Sequence, residues 1–179
     1  MQVWIALFRG INVGGHNVLP MAELRSSLEA IKLKNVRTYI QSGNVVFESS
    51  AKKAETLASR IRKQVEVENG FSPEVFVLGS DELLATIESN PFPDAAATDP
   101  KSLHFFFLHH PIVKIDQGAI DRARSKSEDF RLVGRVFYLH APDGIGRSKL
   151  AANAERYLGV TATARNLRTV TKICSMMNS

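Results

Sequence analysis

The chain has 179 residues, enough for one domain or two small ones. Its 44% hydrophobic and 23% charged content excludes disordered and fibrous classes. Net charge is +5, and most of it lies at one end. Residues 143–179 hold six basic side chains (Arg147, Lys149, Arg156, Arg165, Arg168, Lys172) against two acids (Asp143, Glu155). Nucleic acid or a phosphorylated small molecule would be attracted there; a solvated helical face is the plainer alternative.

No apolar run approaches the roughly 20 residues of a membrane span, so no membrane partner is expected. Residues 3–8 are too short, and lack the basic flank, for a signal peptide. Cys174 stands alone, which excludes an intramolecular disulfide and points to a reducing cytoplasm.

In chain order, residues 3–8 are a continuous apolar strand. Arg9-Gly10-Ile11-Asn12-Val13-Gly14-Gly15 follows, a glycine-rich loop with an arginine at the strand's end. Residues 20–33 carry Leu24, Leu28 and Ile31 at helical spacing, with Pro20 in the first turn. Residues 36–40 and 44–47 read as strands joined through Gln41-Ser42-Gly43. A helix over 52–67, with Leu57, Ile61, Gln64 and Val65 on one face, and a strand over 73–78 complete a βαββαβ series. An added helix over 81–89 and a Pro- and Ala-containing linker over 90–100 come next.

The order then recurs. Residues 103–108 form a strand, 117–125 a helix, 130–133 and 136–139 a hairpin about Gly134, 148–158 a helix and 160–163 a short strand. A helix over 166–177 trails. The hairpins align at an offset of 91 residues, with Gly43 over Gly134 and Phe47 over Tyr138. The expectation is an α+β protein of two duplicated ferredoxin-like halves, 1–92 and 101–179, packed closely as one cooperative unit. Within each half, strands one and three are expected side by side and parallel. That arrangement puts both helix starts on one sheet edge, with 9–15 beside 48–52 and 109–114 beside 141–149.

The strings Arg9-Gly10-Ile11-Asn12-Val13-Gly14-Gly15, Met21-Ala22-Glu23-Leu24 and Tyr39-Ile40-Gln41-Ser42-Gly43-Asn44-Val45-Val46-Phe47 resemble a bacterial family known as domain of unknown function 1697. Gly146-Arg147-Ser148-Lys149-Leu150 and Thr163-Ala164-Arg165-Asn166 with Thr169-Val170 are similar to it too. The resemblance covers essentially the whole chain. It implies an α+β fold of two related halves and carries no activity. Leu167 departs from the aromatic common in the family at that place.

Three loops are candidates for anion binding. Gly10, Gly14 and Gly15, with Asn12 and Arg9, either gather backbone N–H groups at a helix start or simply make a tight crossing. Their spacing matches neither a P-loop nor G-x-G-x-x-G. Gln41 is the member of its turn that turn chemistry does not require. Arg147 and Lys149 flank Ser148, a natural N-cap, and a cation at a helix start opposes the macrodipole unless an anion is bound. Arg165 precedes the last helix, for which Asn166 is the N-cap, or Thr163 if the helix begins earlier. Arg9, Arg147, Lys149 and Arg165 are therefore expected to act on one anion.

Other chemistries find less support. The five histidines (His16, His104, His109, His110, His140) have no metal-ligand spacing, and His109 and His110 are expected on opposite faces of a strand end. Asp81-Glu82 and Glu128-Asp129 fit a helix start and a turn. Phe105-Phe106-Phe107 fit core packing rather than base stacking. No metal is expected, and no cofactor, nucleophile or general base is identified. The leading expectation is a phosphorylated or nucleotide-like small ligand. The alternatives are a non-specific nucleic-acid-binding module and a structural or partner-binding protein.

Overall fold

The computed structural model describes residues 1–112 and 114–178. The chain divides into two compact units, Met1–Ala85 with Lys172–Ser179, and Thr86–Thr171. In chain order the elements are β1 (Gln2–Arg9), α1 (Met21–Ala30), β2 (Lys34–Tyr39), β3 (Asn44–Ser49), α2 (Ala54–Asn69), β4 (Glu74–Gly79), α3 (Ser80–Glu88), α4 (Pro93–Thr98) and β5 (Leu103–Leu108). Then come α5 (Gln117–Ala123), β6 (Asp129–Val133), β7 (Val136–His140), a 3-10 turn (Ile145–Arg147), α6 (Lys149–Ala152), α7 (Ala154–Leu158), β8 (Ala162–Asn166) and α8 (Leu167–Met177).

Each unit holds one four-stranded sheet, ordered β2-β3-β1-β4 in the first and β6-β7-β5-β8 in the second. The two orders are the same, and both are the order of a ferredoxin-like βαββαβ fold. In the first unit Trp4, Ala6 and Phe8 alternate with Ile5 and Leu7 along β1. The first set packs with Val45, Phe47, Leu24, Leu28, Leu57, Ile61 and Val65 in one core cluster, so α1 and α2 cover that face. Ile5 and Leu7 are also fully buried, which is why β1 reads as an unbroken apolar run. In the second unit Phe106, Leu108, Phe137 and Leu139 pack with Ile120, Leu150, Ala154 and Leu158.

The hairpin register does not follow the 91-residue alignment: Tyr39 pairs with Asn44, whereas their counterparts do not pair, Phe130 lying opposite Leu139 because the second turn is shorter. Trp4 lies opposite Phe47 in β3, as Phe105 lies opposite Tyr138 in β7. Phe105 meets Tyr138 edge-on at 4.7 Å, and Phe106 meets Phe137 at 5.8 Å, so the phenylalanine triplet is core.

Three expectations are corrected. β1 and β3 are neighbours but antiparallel, with Leu7 opposite Asn44 and Gln2 opposite Ser49. The β2–β3 hairpin reverses the chain, so β3 leaves the sheet at the end where β1 enters it. The 9–15 loop therefore shares its edge with the 41–43 turn, and 48–52 lies at the other end. In the second sheet Leu103 opposes His140, so 109–112 and 141–149 are likewise at opposite ends, residue 113 lying outside the described residues. The stretch expected as a linker contains α4, which has Pro93 in its first turn followed by alanines, a strong helix start. Finally, the helix expected over 148–158 breaks at Asn153. There φ is −121°, and its Nδ2 donates to the Lys149 carbonyl at 3.0 Å, a side-chain bond that competes with the helix ladder.

Candidate functional site

In the first unit the glycine-rich loop is a hydrogen-bonded frame. Val13 and His16 form an isolated bridge, and Gly14 and Gly15 between them have φ of 57° and 78°. Positive φ at both central residues is what a two-residue hairpin turn needs. Residues 17–20 separate that exposed tip from α1, so the glycines do not form a nest at the helix start. Pro20 caps α1 without a side-chain bond, and Glu23 occupies its first turn.

Asn12 sits at φ 55° and holds the loop together. Its Nδ2 donates to the carbonyls of Leu19 (2.9 Å) and Gln41 (2.8 Å), and its Oδ1 accepts from the Leu19 amide at 2.7 Å. Asn17 Nδ2 donates to the Gly10 carbonyl at 3.0 Å. Gly43 packs so tightly that a Cβ there would lie 2.6 Å from both Phe8 Cβ and Ile11 Cδ1. The structure thus brings Gly10, Asn12 and Gln41 together, with Gln41 entering through its main chain. Arg9 is exposed and lies directly across the sheet from Glu74.

In the second unit Ser148 caps α6, its Oγ accepting from the Ala151 amide at 2.9 Å. Arg147 and Lys149 on either side are exposed. Arg165 is not at a helix start: it lies inside β8, opposite Phe105, and is 8% exposed. The last strand runs later than expected, which draws Arg165 into the sheet. Its Nη1 donates to Thr163 Oγ1 (2.9 Å) and the Ala164 carbonyl (2.8 Å), and burial pulls its pKa down to about 10. Asn166 caps α8, accepting from the Thr169 amide at 2.9 Å. Arg165 is therefore withdrawn from solvent, unlike Arg147 and Lys149.

Lys149 instead lines a groove between α5 and the α6–α7 pair. The groove measures about 290 Å³ and is bordered by Arg122, Lys149, Asn153, Arg156, Tyr157 and two alanines. Three cations line it, and among the described residues no acid does. The nearby acids are engaged elsewhere. Asp116 Oδ1 accepts from the Ala119 amide (2.9 Å), Asp121 Oδ1 from Gln117 Nε2 (2.8 Å), and Glu155 Oε1 from the Ala162 amide (2.7 Å). The Arg156 guanidinium lies 5.1 Å above the centre of the Tyr157 ring, a cation–π contact. Like charges held around one concavity repel one another, and a bound anion relieves that repulsion.

A family model described as "Protein of unknown function (DUF1697)" matches residues 1–138. The chain belongs to this family. Among solved structures it is similar to one described as a conserved bacterial protein, SP0830, from Streptococcus pneumoniae. The two are 25% identical with a TM-score of 0.73, and the likeness covers 98% of each chain. No curated protein matches the chain.

The family likeness fits the loop's architecture, since the matched span holds both the 9–15 loop and the turn that Asn12 joins to it. Of the groove residues, Arg122 had no sequence signal and Arg156 had only its place in the basic stretch 143–179: neither lies in a motif, and α5 is brought against α7 by tertiary packing alone. Asp116 N donates to the Tyr157 carbonyl at 2.9 Å to fix that contact. His109 and His110 do not point to opposite faces. Their rings meet edge-on at 5.1 Å, because β5 ends at Leu108 and strand alternation no longer applies. Among the described residues no three His, Cys, Asp or Glu side chains are grouped to hold a metal, and no helix is long and apolar enough to cross a membrane.

Proposed function

We propose that this protein binds a phosphorylated small molecule in the groove bordered by Arg122, Lys149 and Arg156. The observation that carries this reading is the convergence of three cations, on three separate helices, around a concavity to which no acid among the described residues contributes. Arg122 can fork onto a phosphate, while Lys149 supplies a compact charge beside it. Arg147, exposed next to Lys149, adds to the attracting field. The 9–15 loop, whose polar groups are largely bonded within the loop and its neighbouring turn, serves as scaffold in this reading. A cytoplasmic location belongs to the same proposal, supported by the single cysteine, Cys174.

Thermal unfolding in increasing inorganic phosphate or AMP tests it. A ligand that binds only the folded state raises the melting temperature by mass action. The expected result is a concentration-dependent rise that Lys149→Ala and Arg122→Ala each diminish. No rise, or a rise that both variants leave at its wild-type size, contradicts the reading. Binding of oligonucleotides that vanishes steeply with salt, in place of small-ligand binding, would favour a non-specific nucleic-acid module.

A further inference from the structure

The three cations of the groove are not equivalent, and the difference identifies the kind of ligand. Arg156 is exposed, yet its guanidinium is held 5.1 Å above the ring of Tyr157, which is itself 8% exposed. The main-chain carbonyl of Tyr157 accepts from the Asp116 amide at 2.9 Å, so the backbone that carries this ring is fixed to the neighbouring segment. One side of the guanidinium is thus covered by an anchored aromatic ring. A guanidinium is planar and weakly hydrated, and it stacks on flat π-systems as readily as it pairs with anions. Nucleobases stack on arginine planes in single-stranded RNA recognition for the same reason. Among the described residues Lys149 and Arg122 make no cation–π contact, and they are the simpler phosphate partners.

Size narrows the choice. At about 290 Å³ the groove is at the low end of small-molecule sites, which run from about 300 to 1,000 Å³. The groove is open to solvent, so this volume is the part of a ligand that it encloses, and it suits a single nucleotide unit. We infer that the groove takes a nucleoside monophosphate, its base laid against Arg156 and its phosphate against Arg122 and Lys149. This rests on the phosphate-binding reading above and adds the base to it.

Calorimetric titration with AMP, ribose 5-phosphate and inorganic phosphate separates the two claims, using the full chain and an Arg156→Lys variant. Lysine keeps the charge and loses the flat surface. The expected result is AMP binding about tenfold more tightly than ribose 5-phosphate, in keeping with the stacking contribution of one base. Arg156→Lys should weaken AMP about tenfold more than it weakens ribose 5-phosphate, closing the gap between the two ligands. Equal binding of AMP and ribose 5-phosphate by the wild type overturns this inference while leaving the phosphate reading standing. So does an Arg156→Lys variant that weakens both ligands alike. Failure of all three ligands to bind overturns both.

Discussion

The Asn12 side-chain amide donates to the main-chain carbonyl of Gln41 at 2.8 Å, joining two motifs that lie 29 residues apart in the chain. The same side chain also brackets Leu19 from both sides, through its Oδ1 and its Nδ2. One asparagine at positive φ therefore sets the path from β1 to α1 and ties it to the β2–β3 turn.

Replacing Asn12 with alanine should cost about 3 kcal/mol. Two partly buried hydrogen bonds and one exposed one are lost, each worth about 1 kcal/mol or less, and an alanine at φ 55° adds strain. Asn12→Gly removes that strain and should lose less. Denaturant unfolding of the two variants checks the order. Alanine and glycine variants both as stable as the wild type would contradict the framing role.

Gly43 and Gly15 both have positive φ, yet they should respond differently to alanine. At Gly15 nothing lies within 4 Å of a new Cβ, so only the backbone term of about 1 kcal/mol applies. At Gly43 the Cβ meets Phe8 and Ile11 at 2.6 Å, and overpacking adds about 1–3 kcal/mol. Thermal melts should show Gly43→Ala well below Gly15→Ala; equal midpoints would refute the close packing.

Tyr138 donates its hydroxyl to the Thr86 carbonyl at 2.8 Å, and burial pushes its pKa up to about 12. The folded state holds the phenol neutral, whereas the unfolded state releases its proton near pH 10. Stability is therefore complete below pH 10 and is lost as pH rises from 10 towards 12. Tyr138→Phe should cost about 1 kcal/mol at neutral pH and flatten the alkaline limb. An unchanged alkaline limb in the variant would argue against this assignment.

His104, 8% exposed in β5, has its pKa lowered from 6.5, chiefly by burial and partly offset by a hydrogen bond with the Lys101 backbone. The unfolded chain takes up the proton first, so stability falls as pH drops through 6.5 and is complete above it. Melting temperatures of wild type and His104→Gln between pH 5 and 7.5 should differ in slope, the wild type falling more steeply on acidification. Parallel curves would show that His104 does not contribute.

The order of elements was legible because apolar spacing is local: β1, α1, α2 and the two hairpins all carry it within their own residues. The relation between strands was not. A hairpin such as β2–β3 reverses direction, and following that reversal through the sheet moves 48–52 away from 9–15. The break at Asn153 was hidden because the apolar spacing of Leu150, Ala154 and Leu158 continues across it. The candidate site was legible as a candidate residue only at Lys149, and at Arg156 only as part of the basic stretch 143–179. Arg122 and Arg156 reach the groove through the packing of α5 on α7, which leaves no trace in either local pattern. Arg165 shows the reverse case: it follows a motif yet is buried in β8.

The central claim is that the groove on α5, α6 and α7 holds the phosphate. The most direct measurement is a residue-resolved amide NMR titration of the full chain with AMP. The account expects saturable shifts centred on Arg122, Lys149, Asn153 and Arg156, with residues 9–15 unmoved. Shifts centred on Gly10, Gly14 and Gly15 instead, or none that saturate, would contradict it.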